Sequence, residues 1–324
     1  LLSQMVKEGC SYVFMEVSSH ALDQNRVSGL SFDIGVYTNI SRDHMDYHPT
    51  LNDYIGAKKK LFNSLKNNAV AIVNFDDPYG EEMVRDIIAK PLSYGLKGDF
   101  DFKGKIVENN ISGLSIEIDG FEMTSRLIGE FNAYNLLVVF AVAKSLGEEA
   151  LTVLTIISNL KAPDGRFEYI VSPSNVTAVI DYAHTPDALE NVLKTLVSLK
   201  SDKEKIFTVF GCGGDRDKGK RPLMGEISSV YSDRVIVTSD NPRSEKPSEI
   251  IKEIVSGIPK SKSSKVLTVQ DRRQAIKVAC ELAESGDVIL IAGKGHEKYQ
   301  IIRDEKLHFD DLETTIEIFK QIQQ

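Results

Sequence analysis

Several things are missing from this 324-residue chain, and each absence closes a route. There are three cysteines, Cys10, Cys212 and Cys280, and no CxxC pair. That excludes a disulfide framework and a cysteine-built zinc site. Cys10 and Cys280 read as small apolar residues of the interior. No apolar run is long enough to span a bilayer, and no secretory leader opens the sequence. A soluble protein of the cytoplasm, with no membrane partner, is therefore expected. Positive charge is also short, with 39 Lys and Arg against 47 Asp and Glu, a net charge of −8. Nonspecific nucleic-acid binding needs an electropositive surface, so no nucleic-acid partner is expected. Finally, no G-x-x-x-x-G-K-[ST] phosphate loop occurs anywhere, so nucleotide hydrolysis lacks its usual cradle. Repeats and low-complexity segments are absent too.

What is present reads as two domains. The opening residues, Leu1 to Gly9, look like the end of a helix stopped by glycine, and a fragment is expected. Ser11–Glu16 reads as a buried strand ending on an acid, and Phe32–Thr38 and Ala69–Asn74 as two more. Residues 51–65 read as a helix with Tyr54, Ala57, Leu61 and Leu65 on one face. Short alternating runs between Ser93 and Leu127 read as antiparallel strands with glycine turns. Apolar helices follow over 134–146 and 150–160. Lys161-Ala-Pro-Asp-Gly-Arg166 then breaks the chain, giving expected domains 1–161 and 162–324. Beyond it, strands at 177–181, 206–210, 234–238, 266–269 and 288–292 alternate with helices at 186–199, 222–230, 247–255, 272–283 and after Asp310. This βαβ rhythm predicts an α/β, mostly parallel, doubly wound sheet.

The chemistry gathers at strand ends. Gly211-Cys-Gly-Gly-Asp-Arg-Asp-Lys-Gly-Lys-Arg221 links a strand to a helix, where glycines admit a close ligand and free N–H groups favour an anion. A phosphate cradle is the first reading of that loop. Three companion loops share its sheet edge: Asp181-Tyr-Ala-His184, Asp240-Asn-Pro-Arg243 and Gly293-Lys-Gly-His-Glu297. Four charged loops at one edge point to a site rather than to solvated turns. In the first domain, Glu16 and His44 at neighbouring strand ends suit a hard divalent ion with phosphate oxygens, against a structural ion pair as the plainer reading. Lys58 falls on the apolar side of its helix, an awkward place for an ordinary surface lysine.

These stretches occur in order with Glu16-Val-Ser-Ser-His-Ala-Leu22, Asn39-Ile-Ser-Arg-Asp-His-Met-Asp-Tyr-His48, Tyr54-Ile-Gly-Ala-Lys58, Phe131-Asn-Ala-Tyr-Asn135 and Gly165-Arg-Phe-Glu168. Together they closely resemble the Mur ligase family, in its branch that adds diaminopimelate to UDP-N-acetylmuramoyl-L-alanyl-D-glutamate. The resemblance covers essentially the whole chain. It implies an incomplete central ATPase-like domain with an added antiparallel region, then a Rossmann-like, doubly wound C-terminal domain. It implies an ATP-dependent amide-bond ligase of peptidoglycan biosynthesis, working through an acyl phosphate, with Mg2+, ATP as co-substrate, and a monomeric state. The missing phosphate loop would belong to a segment the chain does not contain.

The resemblance also implies roles. Glu16, His44 and a carbamylated Lys58 (N6-carboxylysine) would hold magnesium. Ser18, Gln24 and Arg26 would hold the muramoyl dipeptide. Asn132 and Asn135 would meet the adenine side, and Arg166, Asp181 and His184 the nucleotide when the domains close. The catalytic set is thus Lys58, His44, Arg166 and Asp181. Meso-diaminopimelate would be held by Arg216, Asp240, Asn241, Pro242, Arg243, Gly293 and Glu297. Arg243 offers a two-pronged grip on the second carboxylate that lysine as a substrate lacks. The opening loop then turns from phosphate cradle to amino-acid pocket. Alternatives are another ligase of the superfamily, the alanine- or glutamate-adding or folylpolyglutamate kind, or a catalytically inactive amino-acid-binding truncation.

Overall fold

The computed structural model describes residues 1–41, 43–110 and 113–322. Two six-stranded sheets organise it, and each sheet has helices over it.

The first sheet runs in the order β1 (Ile34–Tyr37), β2 (Val70–Asn74), β3 (Lys90–Gly95), β4 (Phe102–Asn110), β5 (Gly113–Ile118), β6 (Phe121–Ser125). Its first four strands pair in parallel and its last three antiparallel. Strand β2 is apolar from Val70 to Val73 because both its faces are covered, and Ala71, Ile72 and Val73 are wholly buried. Helix α5 (Glu130–Ser145) lays Leu136, Leu137 and Phe140 over one face. Helix α3 (Leu51–Asn63) packs Ile55 and Phe62 on the other, beside Tyr37 and Val73. A reciprocal cap starts α3: Asp53 N–H donates to Thr50 Oγ1, and Thr50 N–H to Asp53 Oδ2.

Two expectations change here. Ser11–Glu16 is neither a strand nor buried: it has no neighbouring strand, and Tyr12, Val13, Phe14 and Met15 lie exposed after the short helix α1 (Leu2–Lys7). A continuous apolar run becomes a buried strand only where partners flank it, and none flanks this one. The stretch read as wholly antiparallel instead begins with a parallel strand, β3, whose end pairs in parallel with β4 before the meander turns antiparallel.

The second sheet has the order β11 (Val266–Thr268), β10 (Arg234–Val237), β9 (Ile206–Phe210), β12 (Val288–Ala292), β8 (Thr177–Asp181), β7 (Glu168–Val171). All pairs are parallel except the edge pair β7–β8. Helices α7 (Pro186–Leu199), α8 (Lys220–Tyr231) and α9 (Pro247–Ser256) share a core that includes Leu193, Met224 and Ile254. Helices α10 (Arg272–Leu282) and α11 (Asp311–Ile322) build a second core with Ile276 and Ile318. This is the doubly wound arrangement the alternation predicts. Four of its strands, β8, β9, β10 and β12, therefore release their loops at one edge. A hairpin, β13 (Tyr299–Ile302) with β14 (Glu305–His308), projects beyond β12.

Candidate active site

The loop Gly211–Arg221 is anchored from below. Arg221 is fully buried and takes both oxygens of Glu245 in a fork (2.8 and 2.9 Å), Glu253 at 2.7 Å and the Gly213 carbonyl at 3.1 Å. The guanidinium pulls the Glu245 carboxyl down to about 2. Gly214 has to be glycine: a Cβ there would lie 1.9 Å from the Pro242 carbonyl oxygen. The two loops are thus pressed together, and Gly214 N–H donates to the Asn241 carbonyl at 2.9 Å. Arg216 and Arg243 both flank Gly213, within 4 Å of where its Cβ would stand. Arg243 gives Nη1 to the Gly214 carbonyl at 2.8 Å; its other guanidinium nitrogens make no hydrogen bond among the described residues.

Behind the arginines lies Lys294, wholly buried. Its ammonium reaches Asn241 Oδ1 (3.1 Å), Asp240 Oδ1 (3.3 Å) and Glu297 Oε2 (3.5 Å), three acceptors for three protons. Asn241 Nδ2 donates to Glu297 Oε2 at 2.8 Å, and the Ile301 N–H donates to Asn241 Oδ1 at 2.9 Å. Gly293 N–H donates to the Asp181 carbonyl at 3.0 Å, which ties this pocket to β8. The structure therefore brings Arg216, Asp240, Asn241, Pro242, Arg243, Gly293 and Glu297 together. The carboxylates of Asp240 and Glu297 gather around Lys294, and the Arg243 side chain lies over Gly213 beside Arg216.

The first unit forms a separate cluster. Lys58 is half-buried, with Nζ 5.1 Å from the centre of the Tyr54 ring. Burial pulls its pKa below the ordinary lysine range, while the carboxylates of Asp43 and Glu16 act against that. His20, His44, His48, Tyr47 and Tyr54 pack ring against ring, with centroids 4.1–6.0 Å apart. Burial, then neighbouring imidazoles, lower the pKa of His20 and His48. Glu16 stands in an exposed turnless segment rather than at a strand end, yet still beside Lys58. Among the described residues no group of three His, Cys, Asp or Glu stands ready for a metal ion. Ser18 caps helix α2 (Ser19–Asp23) through the Ala21 N–H. Gln24 binds Tyr47 Oη at 3.2 Å and accepts from Arg26, so these two side chains act as one surface group. Arg42 in this segment lies outside the described residues.

Between the units sit the remaining candidates. Asn132 is buried in α5, its amide given to the Ile128 carbonyl, and Asn135 donates to Asn132 Oδ1. The start of α5 packs toward β7: the Phe131 and Phe167 rings lie 6.0 Å apart. Asp181 accepts from the Phe167 and Ala183 N–H groups at 2.8 and 2.7 Å. Burial nevertheless raises its pKa. Arg166 lies over the Tyr182 ring at 4.6 Å. Gly165, at φ +66°, would place a Cβ 2.1 Å from the backbone of Gly295 and His296, so the 161–166 break and the 293–297 loop touch. His184 Nε2 comes within 3.9 Å of Asp43 Oδ2 of the first unit.

Sequence reasoning missed two residues here. Asp43 lies beside His44, Lys58, Tyr54 and His184, and Lys294 centres the second-unit pocket. Both stood inside quoted motifs. A lysine flanked by glycines, and an acid before a histidine, were the available signals.

Two sheets with helices over them, each with polar loops at strand ends and approaching each other at Asp43 and His184, define a two-unit α/β protein. The Mur ligase middle domain model matches residues 1–143, and the Mur ligase, glutamate ligase domain model matches residues 165–295. The UDP-N-acetylmuramoyl-L-alanyl-D-glutamate–2,6-diaminopimelate ligase of Parabacteroides distasonis is 52% identical over 319 residues, 98% of this chain and 66% of that protein. The ligase of the same name from Geobacter sulfurreducens is 43% identical over 98% of this chain and 67% of its own length. A solved structure of a ligase with this name aligns over 100% of this chain and 67% of its own, with 38% identity and a TM-score of 0.62. The MurF ligase of Thermotoga maritima, solved with ADP, shares the fold at 19% identity and a TM-score of 0.68. The chain belongs to the Mur ligase family. It spans about two thirds of the length of the curated relatives it matches.

Proposed function

We propose that the protein works in ATP-dependent addition of meso-diaminopimelate to UDP-N-acetylmuramoyl-L-alanyl-D-glutamate, a step of peptidoglycan assembly. The observation that carries this reading is the meeting of the second unit's loops, where Arg243 and Arg216 flank Gly213 and Asp240, Asn241 and Glu297 surround Lys294. Each carboxylate turns one oxygen to Lys294 and keeps a second for an ammonium group, and the arginines suit carboxylates. Diaminopimelate carries both at each end.

In this reading ATP phosphorylates the D-glutamate side chain, and an amine of diaminopimelate attacks the acyl phosphate. The work is mostly positioning and charge stabilisation. Ser18, Gln24 and Arg26 hold the dipeptide. Asn132 and Asn135 serve the adenine side, and Arg166, Asp181 and His184 the phosphate side of the nucleotide. Residues 1–161 and 162–324 form the two functional units. Glu16, His44 and Lys58 fit magnesium once Lys58 is carbamylated, because only a neutral amine adds carbon dioxide and burial favours that form of Lys58. Bound magnesium would neutralise charge on phosphate oxygens. The reaction is one of the cytoplasm, and a monomer suffices for it. The net charge of −8 supports no nucleic-acid partner. Among the described residues no helix is long and apolar enough to cross a membrane.

The test is selectivity. With the complete gene product, Arg243→Ala is expected to lose at least about tenfold in preference for diaminopimelate over lysine, the worth of one charge-assisted contact. An unchanged preference would defeat the assignment.

A further inference from the structure

His184 sits in the loop between β8 and α7. Its Nδ1 lies 2.9 Å from the Tyr182 carbonyl oxygen. A carbonyl only accepts, so Nδ1 carries the proton and the neutral ring presents Nε2 as a bare acceptor. The Tyr182 ring packs against the imidazole, with centroids 4.5 Å apart, and fixes its plane. More than a third of the side chain stays exposed, so a ligand can reach Nε2. Burial holds the ring's pKa below the ordinary 6.5, and the Tyr182 carbonyl opposes that. Of the charged groups around it, Lys220 on α8 lowers it further, while Asp43 from the first unit and Asp240 after β10 raise it. The neutral, proton-accepting form therefore prevails at neutral pH.

Opposite Nε2 stands Asp43 Oδ2, at 3.9 Å. The imidazole nitrogen and the carboxylate oxygen thus face each other across the boundary of the two units, and His44 Nε2 stands 3.7 Å from the same Asp43 oxygen. An amine nitrogen about 2.8 Å from each, ordinary hydrogen-bond distances, would close that triangle from the side.

We propose that His184 is the general base of the ligation, taking a proton from the incoming amine while Asp43 accepts the amine's other N–H. The inference rests on the ligase reading above and adds a catalytic role to it. The amine lone pair forms the C–N bond to the acyl phosphate carbon. Nε2 takes the proton that the nitrogen must lose. The tetrahedral adduct then breaks its C–O bond to phosphorus, and phosphate leaves with that electron pair. Imidazolium returns the proton to the departing phosphate, so the base is restored and no other reactant is needed. While protonated, the ring is paired with Asp43, which stabilises the charge as it develops.

His184→Asn tests this, because its amide N–H can still donate to the Tyr182 carbonyl while Nε2 is removed. In the complete gene product kcat for diaminopimelate is expected to fall at least about 100-fold, the usual range for losing a general base. The melting temperature should stay near that of the wild type. Hydroxylamine is a neutral, strong nucleophile at neutral pH whose adduct can give its proton to solvent, so it should still trap the acyl phosphate as hydroxamate at a rate that falls far less than peptide formation. The acid limb of the kcat profile, which reports protonation of the base below about pH 6.5, should vanish in the variant. If hydroxamate and peptide formation fall together, His184 acts before the amine step and the proposal is overturned. Undiminished kcat overturns it as well. Failure of the wild type to join diaminopimelate to the precursor would instead refute the ligase reading on which it stands.

Discussion

Arg272 and Asp311 form an ion pair with no exposed surface at either side chain. The fork is complete: Nε to Oδ1 at 2.8 Å and Nη2 to Oδ2 at 2.7 Å. Nη2 also holds the Ala292 carbonyl at 3.0 Å, immediately before the loop that carries Lys294 and Glu297. The pair joins α10 to α11 beneath the site's edge. Arg272→Ala would strand a buried carboxylate, a loss of about 3–5 kcal/mol. In a unit of this size each kcal/mol lowers the melting temperature by about 2–4 °C, so a fall of roughly 6–20 °C is expected by calorimetry. Replacing both partners, Arg272→Met with Asp311→Leu, removes the stranded charge and should cost less than the single change. A single variant within about 1 kcal/mol of wild type, or a double variant less stable than it, would refute the reasoning.

Other outcomes follow from the same geometry. Glu245, held near 2 by Arg221, stabilises the fold above its ordinary 4.5, and that contribution is lost as pH falls from about 4.5 to about 2. The stability deficit of Glu245→Gln, measured in urea, should therefore be largest at neutral pH and shrink toward pH 2; a deficit independent of pH would contradict this. Gly165→Ala, with φ at +66° and no room for a Cβ, should cost about 1–3 kcal/mol and lower kcat, read by thermal melts and turnover. Labelled bicarbonate should give a carbamate carbon signal that Lys58→Ala abolishes, and the signal should strengthen on adding magnesium and nucleotide. The same signal in Lys58→Ala would place the carbamate elsewhere.

Much of the second unit was legible because its physics is local. Thr185 and Pro186 announce α7, and short, nearly continuous apolar runs such as 206–210 and 288–292 read as strands buried on both faces. The parts that sequence missed depend on neighbours. Strand β7 is a four-residue edge strand whose exposed positions, Tyr169 and Val171, are themselves apolar, so its alternation of burial has no matching polar and apolar alternation in sequence. The hairpin β13–β14 is likewise mostly exposed. Ser11–Glu16 has the composition of a strand and no partner to make it one. At the site, the motif residues were visible as chemistry, but their roles were not. Lys294 was one charge in a charged loop until its three acceptors appeared. Asp43 and His184 lie 141 positions apart in sequence, and no local pattern shows that they meet.

The central claim is most directly tested by supplying the complete gene product with UDP-N-acetylmuramoyl-L-alanyl-D-glutamate, ATP, magnesium and equal meso-diaminopimelate and L-lysine, then weighing the nucleotide product. The account predicts the precursor plus diaminopimelate less one water, with one ADP released per bond. A product carrying lysine, or ATP consumed with no amide formed, would contradict it.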